Sequence, residues 1–118
     1  MMKFLCIGRD IGFTVPVDPA QLAGVLEMIY IKSFQIMEKW ETEKKVTGGL
    51  FAGQKAGFLV LEASSGEELS KLLTSLPFWG NENWEVIPLQ SFQSGIEETQ
   101  LEVNKLKQAA AAMRQSKP

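Results

Sequence analysis

Two side chains in this chain have the chemistry of a small proton-transfer site, Arg9 and Glu62. A guanidinium can hold a carboxylate through two parallel hydrogen bonds, so Arg9 is a candidate to grip an acidic group. Glu62 follows Phe58 and Val60 on one alternating face, and a carboxylate beside an apolar wall is suited to take a proton from carbon. The competing reading of each is a solvated charge at a strand end. Tyr30 is the only tyrosine, with a hydroxyl able to reach a ligand carbonyl or, if buried, a backbone group. Trp40, Trp79 and Trp84 could wall an apolar ligand pocket, with Phe78-Trp79-Gly80 as its lid; core or interface anchoring is the plainer use of such residues. Cys6 sits among apolar neighbours and reads as an inert core thiol.

Other groupings point away from chemistry. Glycines 48, 49, 53 and 57 lack the spacing and the Lys-Ser/Thr pair of a phosphate loop. Glu67 and Glu68 favour a helix start through its dipole and need no metal. With no histidine and a single cysteine, no transition-metal site, no cofactor and no intramolecular disulfide are expected. A net charge of −2 lacks the basic footprint that nucleic acid or an anionic membrane requires. Apolar runs fall far short of the ~20 residues that cross a bilayer. The opening Met1–Gly8 meets Arg9 and Asp10 too soon for a signal peptide and reads as a first strand, so a cytoplasmic location is expected.

The elements that must position these residues follow from periodicity. Residues 3–9 form a strand, and a loop with Gly12, Pro16 and Asp18 follows. Asp18-Pro19 is a helix start, because Asp accepts orphan N–H groups and Pro occupies a position needing none. The helix is expected over 19–44, with Leu22, Leu26, Ile29, Ser33, Met37 and Trp40 along one stripe. Val25, Met28, Ile31 and Phe34 are apolar off that stripe and call for a second covering surface. Strands over 46–53 and 56–63 form a hairpin around Gln54-Lys55. Ser65-Gly66-Glu67-Glu68 is a capping box opening a leucine helix that Pro77 closes. A last strand spans 84–92, with Pro88 marking an edge or a bulge. A second capping box at Ser94 opens a final helix to about Gln115, with a narrow apolar seam suited to docking on a neighbouring surface; residues 115–118 are expected to fray.

The order β-α-β-β-α-β predicts an α+β, ferredoxin-like fold, an antiparallel sheet with both helices on one face. Residues 1–93 form this domain, and 94–118 are a helical extension of it. Three of the four strands are apolar on both faces, so the face away from the helices also needs cover. Packing two such faces about 10 Å apart would supply it, so the expected assembly is a homodimeric α+β barrel, with a larger homo-oligomer as an extension.

Specific residues then resemble a known family. Gly48-Gly49-Leu50-Phe51-Ala52-Gly53, Gly57 to Glu62, the helix Ser65 to Leu76 ending in Pro77-Phe78, and Val86-x-Pro88-Leu89 resemble muconolactone isomerases, over roughly residues 2–92. The resemblance implies a dimeric α+β barrel and a cofactor-independent shift of a double bond, by proton transfer, in a small unsaturated lactone or acid. The first expectation is therefore a protein that binds a small organic molecule, with Glu62 moving a proton, Arg9 holding an acidic group, and Tyr30 or a tryptophan lining the pocket. A non-catalytic oligomeric binding or scaffold protein is the second reading. A cofactor-free monooxygenase of the same architecture is a third.

Overall fold

The computed structural model describes residues 1–12 and 18–116. Pro16 of the expected loop and residues 117–118 of the expected frayed tail lie outside the described residues. The element order is β1 (Met2–Asp10), α1 (Pro19–Val25), a π-helical segment (Leu26–Ile31), α2 (Lys32–Thr42), β2 (Val46–Leu50), β3 (Ala56–Ala63), α3 (Gly66–Thr74), a short 3₁₀ turn (Trp79–Asn81), β4 (Glu82–Leu89) and α4 (Phe92–Gln115). The four strands form one sheet in the order β2-β3-β1-β4, with every neighbour antiparallel. This α+β arrangement is compatible with a ferredoxin-like fold and carries a C-terminal helix beyond it.

Strand alternation sorts the two faces. Phe4, Cys6 and Gly8 of β1 are buried on the helix side, level with Leu61, Leu59 and Gly57 of β3. Phe4, Cys6, Leu59 and Leu61 join Val46, Ala63, Leu69 and Leu73 in the core, and Met37, Trp40, Leu72 and Trp84 pack on its margin. Two glycines in the sheet are dictated by space. A Cβ at Gly48 would run into the backbone carbonyl of Phe58, and one at Gly8 would press on the Trp84 ring at 3.0 Å. Leu5, Ile7, Phe58 and Val60 lie on the opposite face and remain partly exposed, with Ile87 and Leu89 exposed beside them. Among the described residues, no helix covers that face.

Several boundaries differ from the sequence expectation. Asp18 caps α1 as expected, accepting the Gln21 N–H at 2.8 Å, while Gln21 returns a bond to the Asp18 N–H. The helix that follows ends at Thr42, and Lys44 takes a left-handed φ of 60° as the chain leaves it. The helix is also interrupted: Leu26–Ile31 is π-helical, a feature frequent at functional sites. Ser65 accepts the Glu68 N–H at 3.2 Å, but the Glu68 carboxylate reaches Ser64 instead of completing the box at Ser65. The hydroxyl and N–H of Ser64 hold that exposed carboxyl below its usual range. α4 begins earlier than expected, because Ser91 supplies the cap and accepts the Ser94 N–H at 3.0 Å.

The apolar seam of α4 does not dock on the first helix or on any other described element. α4 makes no sizeable contact with another element and buries none of its residues. The described residues span 85 × 31 × 26 Å, so the helix stands clear of the body. Met28, Ile31 and Phe34, off the main stripe of the first helix, are exposed. Among the described residues, no helix is long and apolar enough to cross a membrane.

Candidate functional site

A cavity of about 560 Å³ lies between the first helix and the helix-facing side of the sheet. Leu22, Leu26, Phe34, Met37, Glu38 and Glu41 line it from the helix, and Gly8, Gly48 and Gly57 leave part of its sheet wall without side chains, between Val46, Ala56 and Leu59. The size and the apolar walls suit a small organic molecule.

One end of the cavity is polar. Asp10 ends β1 and Glu82 begins β4; the two are direct cross-strand partners, on the same face of the sheet, and both line the cavity. One oxygen of Asp10, Oδ1, accepts three hydrogen bonds: from the Tyr30 hydroxyl at 2.9 Å, the Asn81 Nδ2 at 3.1 Å and the Gly12 N–H at 3.2 Å. Asn81 Nδ2 also donates to the Tyr30 hydroxyl oxygen. The backbone locks the same corner, with Asp10 N–H donating to Lys55 O and Ile11 N–H to Asn81 O. Asp10 is therefore fixed, and Tyr30 and Asn81 are spent mainly on fixing it.

Glu82 differs from Asp10. Among the described residues its side chain has no hydrogen bond or ion pair. Burial, and after it the negative charge of Asp10, push the Glu82 carboxyl up to about 7. Burial also pushes the Tyr30 hydroxyl up to about 12, opposed by the Asn81 hydrogen bond and reinforced by Asp10. The corner thus holds one engaged acid beside one free acid that changes charge near neutrality, facing an apolar cavity. Such a group can both accept and return a proton at physiological pH.

The sequence-predicted residues are scattered over this structure. Tyr30 and Phe78 line the main cavity; Phe78 is buried and meets the rings of Tyr30, Phe34 and Trp84 edge-on at 5.8–6.1 Å. Trp84 lies on the helix-facing side of the sheet beside its cross-strand partner Gly8, its ring occupying the space a Cβ there would need, and its Nε1 donates to the Trp79 carbonyl at 3.2 Å. Trp79 is exposed and lines neither cavity. Trp40 packs on the core and, with Glu62, Lys3 and Lys44, borders a second and more polar depression of about 550 Å³. Arg9 and Glu62 do not meet. Arg9 pairs with Ala56 and Glu62 with Lys3, which places them at opposite ends of β1, roughly 20 Å apart at the strand rise per residue. Both are exposed and on the sheet face away from the helices. Arg9 lies over the Phe51 ring, 6.0 Å from its centroid. One chain therefore assembles no site from these two residues.

Asp10, Asn81 and Glu82 were missed from the sequence because expected strand ends stopped short of them. The alternation Phe4, Cys6, Gly8 continues to Asp10, and Glu82 falls in step with Trp84 and Val86. Extending both strands to their natural ends would have placed two acids on one face. Among the described residues, no group of three or more His, Cys, Asp or Glu side chains gathers as a metal site. No model of a known protein family matches the chain, and no curated protein matches it.

Proposed function

We propose that the chain binds a small unsaturated lactone or acid in the helix–sheet cavity and shifts its double bond by cofactor-independent proton transfer, with Glu82 carrying the proton. The observation behind this reading is a free carboxyl, poised near 7, at the polar end of an apolar cavity. As carboxylate, Glu82 would remove a proton from the carbon beside the ligand carbonyl, and the C–H electron pair would pass into a dienolate. The carboxylic acid so formed would return the proton to the far carbon of that dienolate, so atoms and electrons balance with no other reactant. Lys55, the one cation among the described residues lining the cavity, would offset the transient negative charge. The likeness of the hairpin and the leucine helix to muconolactone isomerases supports the same class of reaction, with Glu82 replacing Glu62 in the central role.

The reading includes a homodimeric α+β barrel closed through the exposed apolar sheet face, in the cytoplasm, where the lone buried thiol of Cys6 stays reduced. The exposed stripe of α4 also favours the second reading, an oligomeric binding or scaffold protein without catalysis. Deuterium exchange separates the two. Incubated in D2O with a β,γ-unsaturated butenolide, the wild type is expected to exchange the proton beside the carbonyl and accumulate the conjugated isomer. Glu82→Gln should lower that rate by about 10²-fold or more, while Glu62→Gln leaves it unchanged. Binding without exchange by the wild type would favour the scaffold reading. Full activity in Glu82→Gln would remove Glu82 from its role.

A further inference from the structure

We propose that α4 pairs antiparallel with the α4 of a second copy of this chain. Among the described residues no element packs over the helix, and its large apolar residues other than Leu101 form one continuous stripe. Phe92, Ile96, Thr99 and Val103 lead into Leu106, Ala110 and Met113 in alternating steps of four and three. Phe92, Ile96, Leu106 and Met113 are strongly exposed, Phe92 at 95%. Such a repeat, averaging 3.5 residues, makes a narrow seam that fits another helix with the same seam better than a flat sheet. Twenty-four residues give a rod of about 36 Å, long enough for three heptads of contact.

Charge identifies the partner and its direction. Every charged residue in the first half of α4 is acidic (Glu97, Glu98, Glu102), and every one in the second half is basic (Lys105, Lys107, Arg114). A parallel pair would set like halves side by side. An antiparallel pair sets each acidic half against a basic half, and also opposes the two helix dipoles. The two-fold arrangement lets one surface serve both copies. Aligning the seams places Val103 beside Leu106 of the second copy, Ile96 beside its Met113, and the small Thr99 beside its Ala110, where the backbones come closest. Glu102 then faces Lys105 across the pair and Glu97 faces Arg114. The contact is independent of the sheet face and of the cavity.

Disulfide trapping reads the geometry directly. Ile96→Cys and Met113→Cys variants, one carrying a size tag, are mixed under mild oxidation; the native Cys6 is buried and does not compete. Antiparallel pairing gives the mixed 96–113 disulfide in several-fold excess over either homodisulfide. Adding Glu97→Lys and Glu102→Lys to the first variant should lower the yield, and adding Lys105→Glu and Arg114→Glu to the second should restore it. α4 contributes no buried residue, so these substitutions leave the rest of the domain intact, as far-UV circular dichroism would register. Dominant 96–96 and 113–113 disulfides, no trapping at all, or a yield indifferent to both charge reversals would each overturn the proposal.

Discussion

Glu82 and Asp10 are paired across two strands, yet among the described residues only the Asp10 side chain is held by hydrogen bonds. That difference has a measurable signature in stability. The Glu82 carboxyl titrates near 7 in the folded chain, against an ordinary value of 4.5. Between those pH values the folded state keeps a proton that the unfolded state has released, so the folded state binds more protons. The free energy of unfolding should therefore fall as pH rises from about 4.5 to about 7, and level off above. Urea titrations across this range should show the decline in the wild type. Glu82→Gln, which mimics the protonated side chain, should flatten it. A wild-type curve with no decline in this window would mean that Glu82 is ionised throughout and unsuited to return a proton. Tyr30 serves the same corner indirectly: Tyr30→Phe removes one of three donors to Asp10, and its effect on ligand binding measures how far that acid's position matters.

At the level of elements, the joint between the first helix and the turn before β4 depends on Ser33. It is fully buried; its hydroxyl donates to the Ile29 carbonyl at 2.6 Å and accepts the Phe78 N–H at 3.0 Å. Ser33→Ala leaves the Phe78 N–H buried without a partner and should cost about 1–3 kcal/mol in chemical denaturation. An unchanged midpoint would show that the turn can rearrange around the loss. Ser33 was legible only as a member of the helix stripe, since its partner lies 45 residues away. Local signals served better. The β3 range and the Asp18 cap were readable because alternation and capping act within a few residues. Ser94 was mistaken for the cap of α4 because Ser91 makes the same kind of bond three residues earlier, and the sequence offers two equivalent starts. The strand start at Glu82 was hidden between Asn81 and Asn83, both turn formers. The π-helical segment had no signal at all, since an i→i+5 bond leaves no mark on residue type, yet it contains Tyr30 and borders the cavity.

At the scale of the whole molecule, the open sheet face and the α4 seam are apolar surfaces that no described element of the chain covers. The sheet face can be tested alone in a background where Leu106→Asp disables the seam. Val60→Asp then places a charge at the centre of the apolar face. If that face closes a dimer, the unpaired buried carboxylate should cost on the order of 3 kcal/mol, over 100-fold in the association constant. Sedimentation velocity across a dilution series reads this, and a Leu106→Asp chain that is monomeric at every concentration would remove the barrel from the proposed function. The edges of the sheet bear on what kind of assembly is open to the molecule. β4 is one edge and contains Pro88, which has no N–H to offer a further strand; β2, the other, is five residues long with Gly48 and Gly49 at its middle. Growth in the plane of the sheet is thus discouraged on both sides, while the uncovered apolar surfaces lie on a face and on a separate helix. Association through the surfaces proposed above would therefore yield small closed sets of fixed number and not the endless stacking of strands that ends in fibres.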